Sequence, residues 1–407
     1  MKKIKTGSPN ILLIGIGGVY NYGCEAIVRG TEIILRKEYP DANIIYASRR
    51  VSDDTKRLQG SNVSIIDRGK SKRYSVKNII RKLLSLLGIK WFPVYDSMNL
   101  LEGIDAVFSI GGDLYTLSSS GQYSLSLPKF CEAAQKQGIP YILWGASIGP
   151  FSRNTKAERI FRAHLLKVDL ITAREKESIE YLNKLSISRN VIQCADPAYL
   201  VASEIVSHQS RIFKMLTIGI NLSPLSAGYL KKSLDEIIMN QTKVIEEIIT
   251  EFNANILLIP HVVSNSNIND DDLRYLQNIL TIINPTYHNS ISLIDSDIGF
   301  IETKRQLTTC DIVIAARMHC AINALSAHIP TLLLSYSAKA RGMAQYVYNN
   351  NNWVLPLDDF HSQNTQLFNT LSSLVEKRKI LSDYLSKRIP QIQADALNPL
   401  ARIREII

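Results

Sequence analysis

Cysteine is scarce in this chain. Cys24, Cys131, Cys194, Cys310 and Cys320 are scattered, odd in number and show no C-x-x-C spacing. That argues against a disulfide framework and a structural zinc site, and it suits a reducing cytosol. Long apolar runs are missing too: nothing approaches the roughly 20 residues of a membrane-spanning helix. The apolar stretch 11–19 is interrupted by glycines and reads as a first strand and its turn rather than a signal segment. The strand ends in Gly15-Ile16-Gly17-Gly18, and Tyr20 stands where a dinucleotide fingerprint needs its third glycine. There is no G-x-x-x-x-G-K-[ST] phosphate loop and no G-x-S-x-G nucleophile elbow. Asp295-Ser296-Asp297 is too short a match for a metal motif and reads as a strand end running into a helix cap. No fixed-period repeat or low-complexity tract is present.

What is there is a 407-residue chain with 45% hydrophobic and 21% charged residues, enough for a sizeable core and too long for one typical domain. Short apolar runs alternate with amphipathic ones. In the first half, strands are expected at 10–17, 43–48, 62–66, 105–111, 140–148, 170–173 and 191–195, with helices between them, such as 24–39, 125–137, 155–168 and 176–185. Near-continuous apolar strands separated by helices imply a parallel sheet covered on both faces. The pattern pauses over the polar stretch 203–214. A second series then follows, with strands at 216–222, 255–260, 291–294, 311–315, 331–335 and 353–355 and helices at 234–252, 271–283, 298–308, 321–327 and 341–348. The end, 366–407, reads as helix with a break near Pro390. The expected fold is α/β, with two Rossmann-like doubly wound domains facing a cleft. Residues 1–205 form the first domain, 206–375 the second, and 376–407 a helical segment packing back on the first.

The net charge is +10, which favours anionic partners. Part of the excess is local. Between Arg68 and Lys90 the chain carries basic residues and no acidic one, with apolar residues at helical spacing. This is a candidate membrane-surface helix, set against an ordinary helix with a solvated basic face. The chain is expected to be cytoplasmic; peripheral contact at the inner membrane face through 68–90 is the alternative that the basic segment opens. Nucleic acid is not an expected partner, because no recognition motif accompanies the charge.

In doubly wound sheets ligands bind at the carboxyl ends of strands, and several segments stand there. Gly17–Ala26 includes Asn21 and Gly23, a turn suited to close ligand approach or simply to helix capping. Gly111-Gly112-Asp113 closes another strand with an acid that can orient a hydroxyl or carry a proton. Arg174 ends a short strand, with a fork suited to carboxylate or phosphate or to a salt bridge with a nearby acid. Arg317 and His319 follow the strand at 311–315, a cation and a titratable imidazole at a helix start. Lys339, after 331–335, is a cation at a helix start, where an anionic ligand would compensate it. His261 also ends a strand, with a capping or core role equally open.

In order, Asn21-Tyr22-Gly23-Cys24-Glu25-Ala26, Gly111-Gly112-Asp113, Trp144-Gly145-Ala146-Ser147-Ile148-Gly149-Pro150, Ala173-Arg174-Glu175, Ile259-Pro260-His261, Arg317-Met318-His319 and Ser337-Ala338-Lys339 resemble the polysaccharide pyruvyl transferase family. Cys24 departs from the Asp that many members carry there. The resemblance implies a two-domain fold of the GT-B type, phosphoenolpyruvate as co-substrate and no tightly bound cofactor or metal. It implies Arg174, Arg317, Lys339 and His319 as donor-binding residues and His319 and Asp113 as catalytic ones. Asn21, Gly23, Gly112, Asp113 and His261 would then contact a sugar acceptor, polyprenyl-diphosphate-linked or nucleotide-linked. The rival readings are a GT-B glycosyltransferase that uses a nucleotide sugar and a non-catalytic glycan-binding protein of the same fold.

Overall fold

The computed structural model describes residues 8–69, 80, 83, 98–118, 120–202, 215–264 and 267–407. Among these residues the chain divides into two compact units. The first holds residues up to Val19, then Ile27–Pro197 and Asp395–Ile407; the second holds Tyr20–Ala26 and Ala198–Ala394. Tyr20–Ala26 thus groups with the second unit although it follows the first strand.

The first unit is a seven-stranded parallel sheet built from β1 (Asn10–Ile14), β2 (Asn43–Ser48), β3 (Ser64–Asp67), β4 (Ala106–Ile110), β5 (Tyr141–Ala146), β6 (Leu170–Ala173) and β7 (Val191–Gln193), in the order β3-β2-β1-β4-β5-β6-β7. The second is a six-stranded parallel sheet of β8 (Thr217–Asn221), β9 (Asn255–Leu258), β10 (Ile291–Leu293), β11 (Ile312–Ala315), β12 (Thr331–Ser335) and β13 (Val354–Pro356), in the order β10-β9-β8-β11-β12-β13. Both orders reverse direction once, between β1 and β4 and between β8 and β11. Such a switch point leaves a crevice outside the strand ends. The α/β class and the strand positions match the sequence reading.

Burial explains the strands. Ile11, Leu12, Leu13 and Ile14 of β1 and Ile312, Val313 and Ile314 of β11 are all at 0% exposure, as expected where helices cover both faces. Each such side chain contributes about 1.5–3 kcal/mol on leaving water.

Three details differ from the sequence reading. The helix Thr365–Asp395 runs through Pro390 without a break. The donor lost at Pro390 is offset by burial of Leu385, Ile389 and Ile392. The helices Met318–Leu325 and Ala338–Tyr348 start about one turn earlier than the periodicity suggests, which puts His319 and Lys339 inside first turns. Arg68, counted with the basic stretch, turns inward: it is buried, and burial together with the charge of Arg49 pulls its pKa down to about 9. The remainder of 68–90, except Gly69, Ile80 and Leu83, lies outside the described residues, as does the boundary expected at 203–214. Among the described residues no helix is long and apolar enough to cross a membrane.

One buried base gives the first unit a pH dependence. His164, on the helix Thr155–Leu165, has Nε2 3.1 Å from the Tyr115 hydroxyl, and its ring stacks on Tyr115. Burial, then the charge of Lys167, lower its pKa from 6.5 to about 4. Between those values the unfolded chain binds a proton that the folded chain refuses. The His164 contribution is therefore complete above pH 6.5 and is lost as pH falls toward about 4. The denaturation midpoint is expected to drop over that window, and His164→Gln to flatten the drop; an unchanged slope in the variant would contradict this assignment.

Candidate functional site

In the second unit the switch point gathers chemistry around β11. Asn221, at the end of β8, accepts a hydrogen bond from the Arg317 amide at 2.8 Å and donates to the Ile259 carbonyl at 2.8 Å. This fully buried amide fixes the chain where it leaves β11. Arg317 is buried as well. Its Nη2 donates to Asp270 at 2.6 Å and to Asp272 at 2.7 Å, and its Nε lies 3.2 Å from both Asp272 oxygens. Burial works against the guanidinium charge, but Asp272 and Asp270 more than offset it and hold its pKa above the ordinary arginine value. Nε and Nη2 are committed to carboxylates, so Nη1 is the edge left to meet a ligand.

Asp272 does a second job. Its Oδ2 accepts from the amides of His261 and Val262 at 3.0 and 3.1 Å. His261 consequently lies beneath the surface, with 1% exposure, edge-on to Tyr22 and Phe300. Burial holds its imidazole well below the usual histidine range, and the charges of His319 and Arg317 push the same way. At that depth it packs beneath the surface rather than standing open to an acceptor.

The segment Tyr20–Ala26 is clamped onto this cluster. The Tyr22 amide donates to the His261 carbonyl at 3.0 Å, and the Val263 amide to the Tyr20 carbonyl at 3.2 Å. The Tyr22 hydroxyl donates to Asp297 at 2.8 Å. Glu25, buried, accepts from the Phe300 amide at 2.9 Å, placing a carboxylate at the start of the helix Gly299–Leu307, where the helix dipole favours it. Asn21 turns its Oδ1 to the Gly23 amide at 2.9 Å. Gly23 faces the ring of His319. A Cβ built on Gly23 would lie 2.4 Å from His319 Cγ and Nδ1, so only glycine fits. His319 itself is half-buried in the first turn of Met318–Leu325. Lys339 is half-buried in the first turn of Ala338–Tyr348, after the neighbouring strand β12.

In the first unit Arg174 leaves β6 buried. Nη1 donates to Asp196, Nη2 to Ser147 Oγ at 3.3 Å, and Nε lies 3.5 Å from Glu175. Burial opposes the charge, and Asp196, Glu175 and Asp113 outweigh it, so its pKa is raised. Gly112 is again a clearance: its Cβ would stand 2.5 Å from Arg174 Nη2. Asp113 beside it is exposed.

The structure therefore brings Asn21, Gly23, His261, Arg317 and His319 together in one unit, with Lys339 on the adjacent strand end, and Gly112, Asp113 and Arg174 together in the other. Both arginines are held by carboxylates rather than standing as loose cations. Sequence reasoning missed Asn221, Asp272, Tyr22 and Glu25 as parts of these clusters. The signals for the first two were an asparagine closing an apolar strand and the Asp270-Asp271-Asp272 run after a polar loop. Among the described residues no three His, Cys, Asp or Glu side chains group as metal ligands.

Comparison with known proteins places the chain. The polysaccharide pyruvyl transferase family model matches residues 21–338. Among solved structures, a UDP-GlcNAc 2-epimerase from Neisseria meningitidis bound to UDP-GlcNAc is similar at 14% identity and TM-score 0.60, covering 97% of this chain and 98% of that one. A putative UDP-N-acetylglucosamine 2-epimerase from Listeria monocytogenes is similar at 11% identity and TM-score 0.62, covering 98% and 96%. An Anabaena protein in complex with UDP and glucose is similar at 10% identity and TM-score 0.60, covering 98% and 100%. At such identities the likeness establishes the fold, two Rossmann-like domains of the GT-B type.

Proposed function

The chain belongs to the polysaccharide pyruvyl transferase family, and we propose that it moves the 1-carboxyethylidene group of phosphoenolpyruvate onto two hydroxyls of one sugar of a surface glycan or its lipid-linked precursor. One observation carries the donor site. The helices Met318–Leu325 and Ala338–Tyr348 begin at the carboxyl ends of neighbouring strands, and neither start has a side-chain cap. Two such starts side by side direct backbone amides and dipole ends at an anion. His319 and Lys339 ride in those first turns. Phosphoenolpyruvate carries a carboxylate and a phosphate, which matches paired amide nests with a lysine and an imidazole between them. Arg317 adds its Nη1 edge from beneath.

The chemistry then balances without a redox partner. The methylene of phosphoenolpyruvate takes a proton and becomes a methyl group. One sugar hydroxyl adds to the adjacent carbon and loses its proton. The second hydroxyl displaces phosphate from the same carbon and gives up its proton, so two C–O bonds form, the C–O bond to phosphate breaks and inorganic phosphate leaves carrying that proton. His319 carries one of these protons. In the first unit Asp113, exposed after β4, is the candidate for the other proton or, with the backbone at Gly112, for an acceptor contact; in the second unit the acceptor-contact candidates are Asn21 and the backbone at Gly23. Arg174 organises the Gly112–Asp113 turn from beneath. The acceptor is a polyprenyl-linked or nucleotide-linked sugar, met at the inner membrane face if the basic segment 68–90 binds anionic lipid. No tightly bound cofactor is required.

The test is calorimetric titration of phosphoenolpyruvate into the wild type, Lys339→Ala and His319→Gln, paired with phosphate release in the presence of sugar acceptors. Wild type is expected to bind, Lys339→Ala to bind at least tenfold more weakly, and His319→Gln to bind while turning over about 10²–10⁴-fold more slowly, the usual worth of a positioned acid or base. A folded wild type that ignores phosphoenolpyruvate with and without acceptor, yet turns over a nucleotide sugar, would make the glycosyltransferase reading correct.

A further inference from the structure

The second unit carries an aromatic pair that the donor chemistry does not use. Tyr229 follows the short helix Pro224–Ala227 after β8, and Tyr336 directly follows β12. Their rings lie 4.7 Å apart between centroids at an interplanar angle of 31°. Tyr229 is 59% exposed. In the sheet, β11 lies between β8 and β12, so the strands that send out the two tyrosines are about 10 Å apart. The two tyrosines belong to the connections that follow β8 and β12, the strands on either side of β11, which delivers Arg317 and His319. A second contact ties them to the same place: Pro224–Ala227 packs against the turn Ile268–Asp270, and Asp270 holds Arg317.

Single exposed apolar residues are ordinary on a protein surface. Two tyrosines packed on each other at this tilt, with Tyr229 largely exposed, form an aromatic patch that carries hydroxyls. Such a patch suits a ligand with one apolar face and a polar edge. A pyranose ring has that form, with axial C–H groups on a face and hydroxyls around its circumference.

We infer that Tyr229 and Tyr336 form a platform that seats a pyranose ring of the acceptor beside His319. This rests on the pyruvyl transfer reading, because it supplies the sugar that the reaction needs. Stacking there would turn the hydroxyl edge of the ring toward the helix starts and leave the donor contacts untouched.

The probes are the methyl glycosides of galactose, glucose, mannose and N-acetylglucosamine, titrated with phosphoenolpyruvate present and followed by ligand-observed NMR. Wild type is expected to bind at least one of them. Tyr229→Ala and Tyr336→Ala should each weaken that binding about tenfold or more, with phosphoenolpyruvate affinity unchanged. Tyr229→Phe and Tyr336→Phe, which keep the rings, should recover most of it and guard against misfolding of the alanine variants. Equal glycoside binding by wild type and folded alanine variants would overturn the platform, and so would phosphoenolpyruvate binding with no glycoside binding. If UDP binds and is lost on removing either ring while glycosides are ignored, the platform takes a nucleobase and the pyranose assignment is wrong. Failure of phosphoenolpyruvate to bind wild type would instead remove the underlying reading and the platform with it.

Discussion

Arg317→Ala is expected to lower the folding stability of the second unit by about 3–5 kcal/mol, the usual cost of removing one partner from a buried ion pair. Asp272 has 0% exposure. Without Arg317 it keeps only two backbone amides, and burial already pushes its carboxyl pKa up against the pull of that guanidinium. Asp270 is partly exposed and should recover by hydration. The expected result in chemical denaturation is a lower midpoint. The double variant Arg317→Ala with Asp272→Asn should regain much of the loss, because the asparagine oxygen still accepts from His261 and Val262 without a buried charge. A midpoint equal to wild type for Arg317→Ala would show that the pair is not structural. The experiment also governs how activity data are read. Loss of turnover in Arg317→Ala cannot by itself be credited to a missing substrate contact.

Gly23→Ala is the second large effect. On local grounds it should help, since alanine is favoured over glycine in a helix by up to about 1 kcal/mol, and Gly23 lies in the first turn of Tyr22–Glu38. Tertiary packing reverses the sign. The new Cβ would stand 2.4 Å from the His319 ring, and the ring must move. A displacement of about 1 Å can cost on the order of 100-fold in turnover. The expected outcome is a kcat loss of that size with little change in phosphoenolpyruvate affinity, together with a lower melting temperature. The decisive control is the His319→Gly background. There the ring is gone, and so is the His319 Cβ that would stand 2.7 Å from the new methyl, so Gly23→Ala should be neutral or stabilising. Additive effects in that double-mutant cycle would show that the two residues do not meet in solution.

Much of the candidate site was legible because its residues stand at strand ends, and apolar runs mark those ends. Arg174, Arg317, His319, Lys339 and Asp113 were found that way. Their states were not legible. Nothing local to Arg317 shows that Asp270 and Asp272, some 45 residues earlier, occupy two edges of its guanidinium. Nor does the sequence around Gly112 show that its missing side chain makes room for Arg174.

The sequence by itself determined the α/β class and the positions of the thirteen strands among the described residues. Those depend on periodicity and on glycine or charge at strand ends, which are properties of neighbours along the chain. Tertiary structure alone decided that Tyr20–Ala26 groups with the second unit, that Gly23 is the clearance for His319, that Glu25 serves the start of another helix, and that two tyrosines from different strand ends meet. These are contacts between residues far apart in sequence. Their energy comes from desolvated ion pairs and excluded volume, and neither exists until the chain has folded.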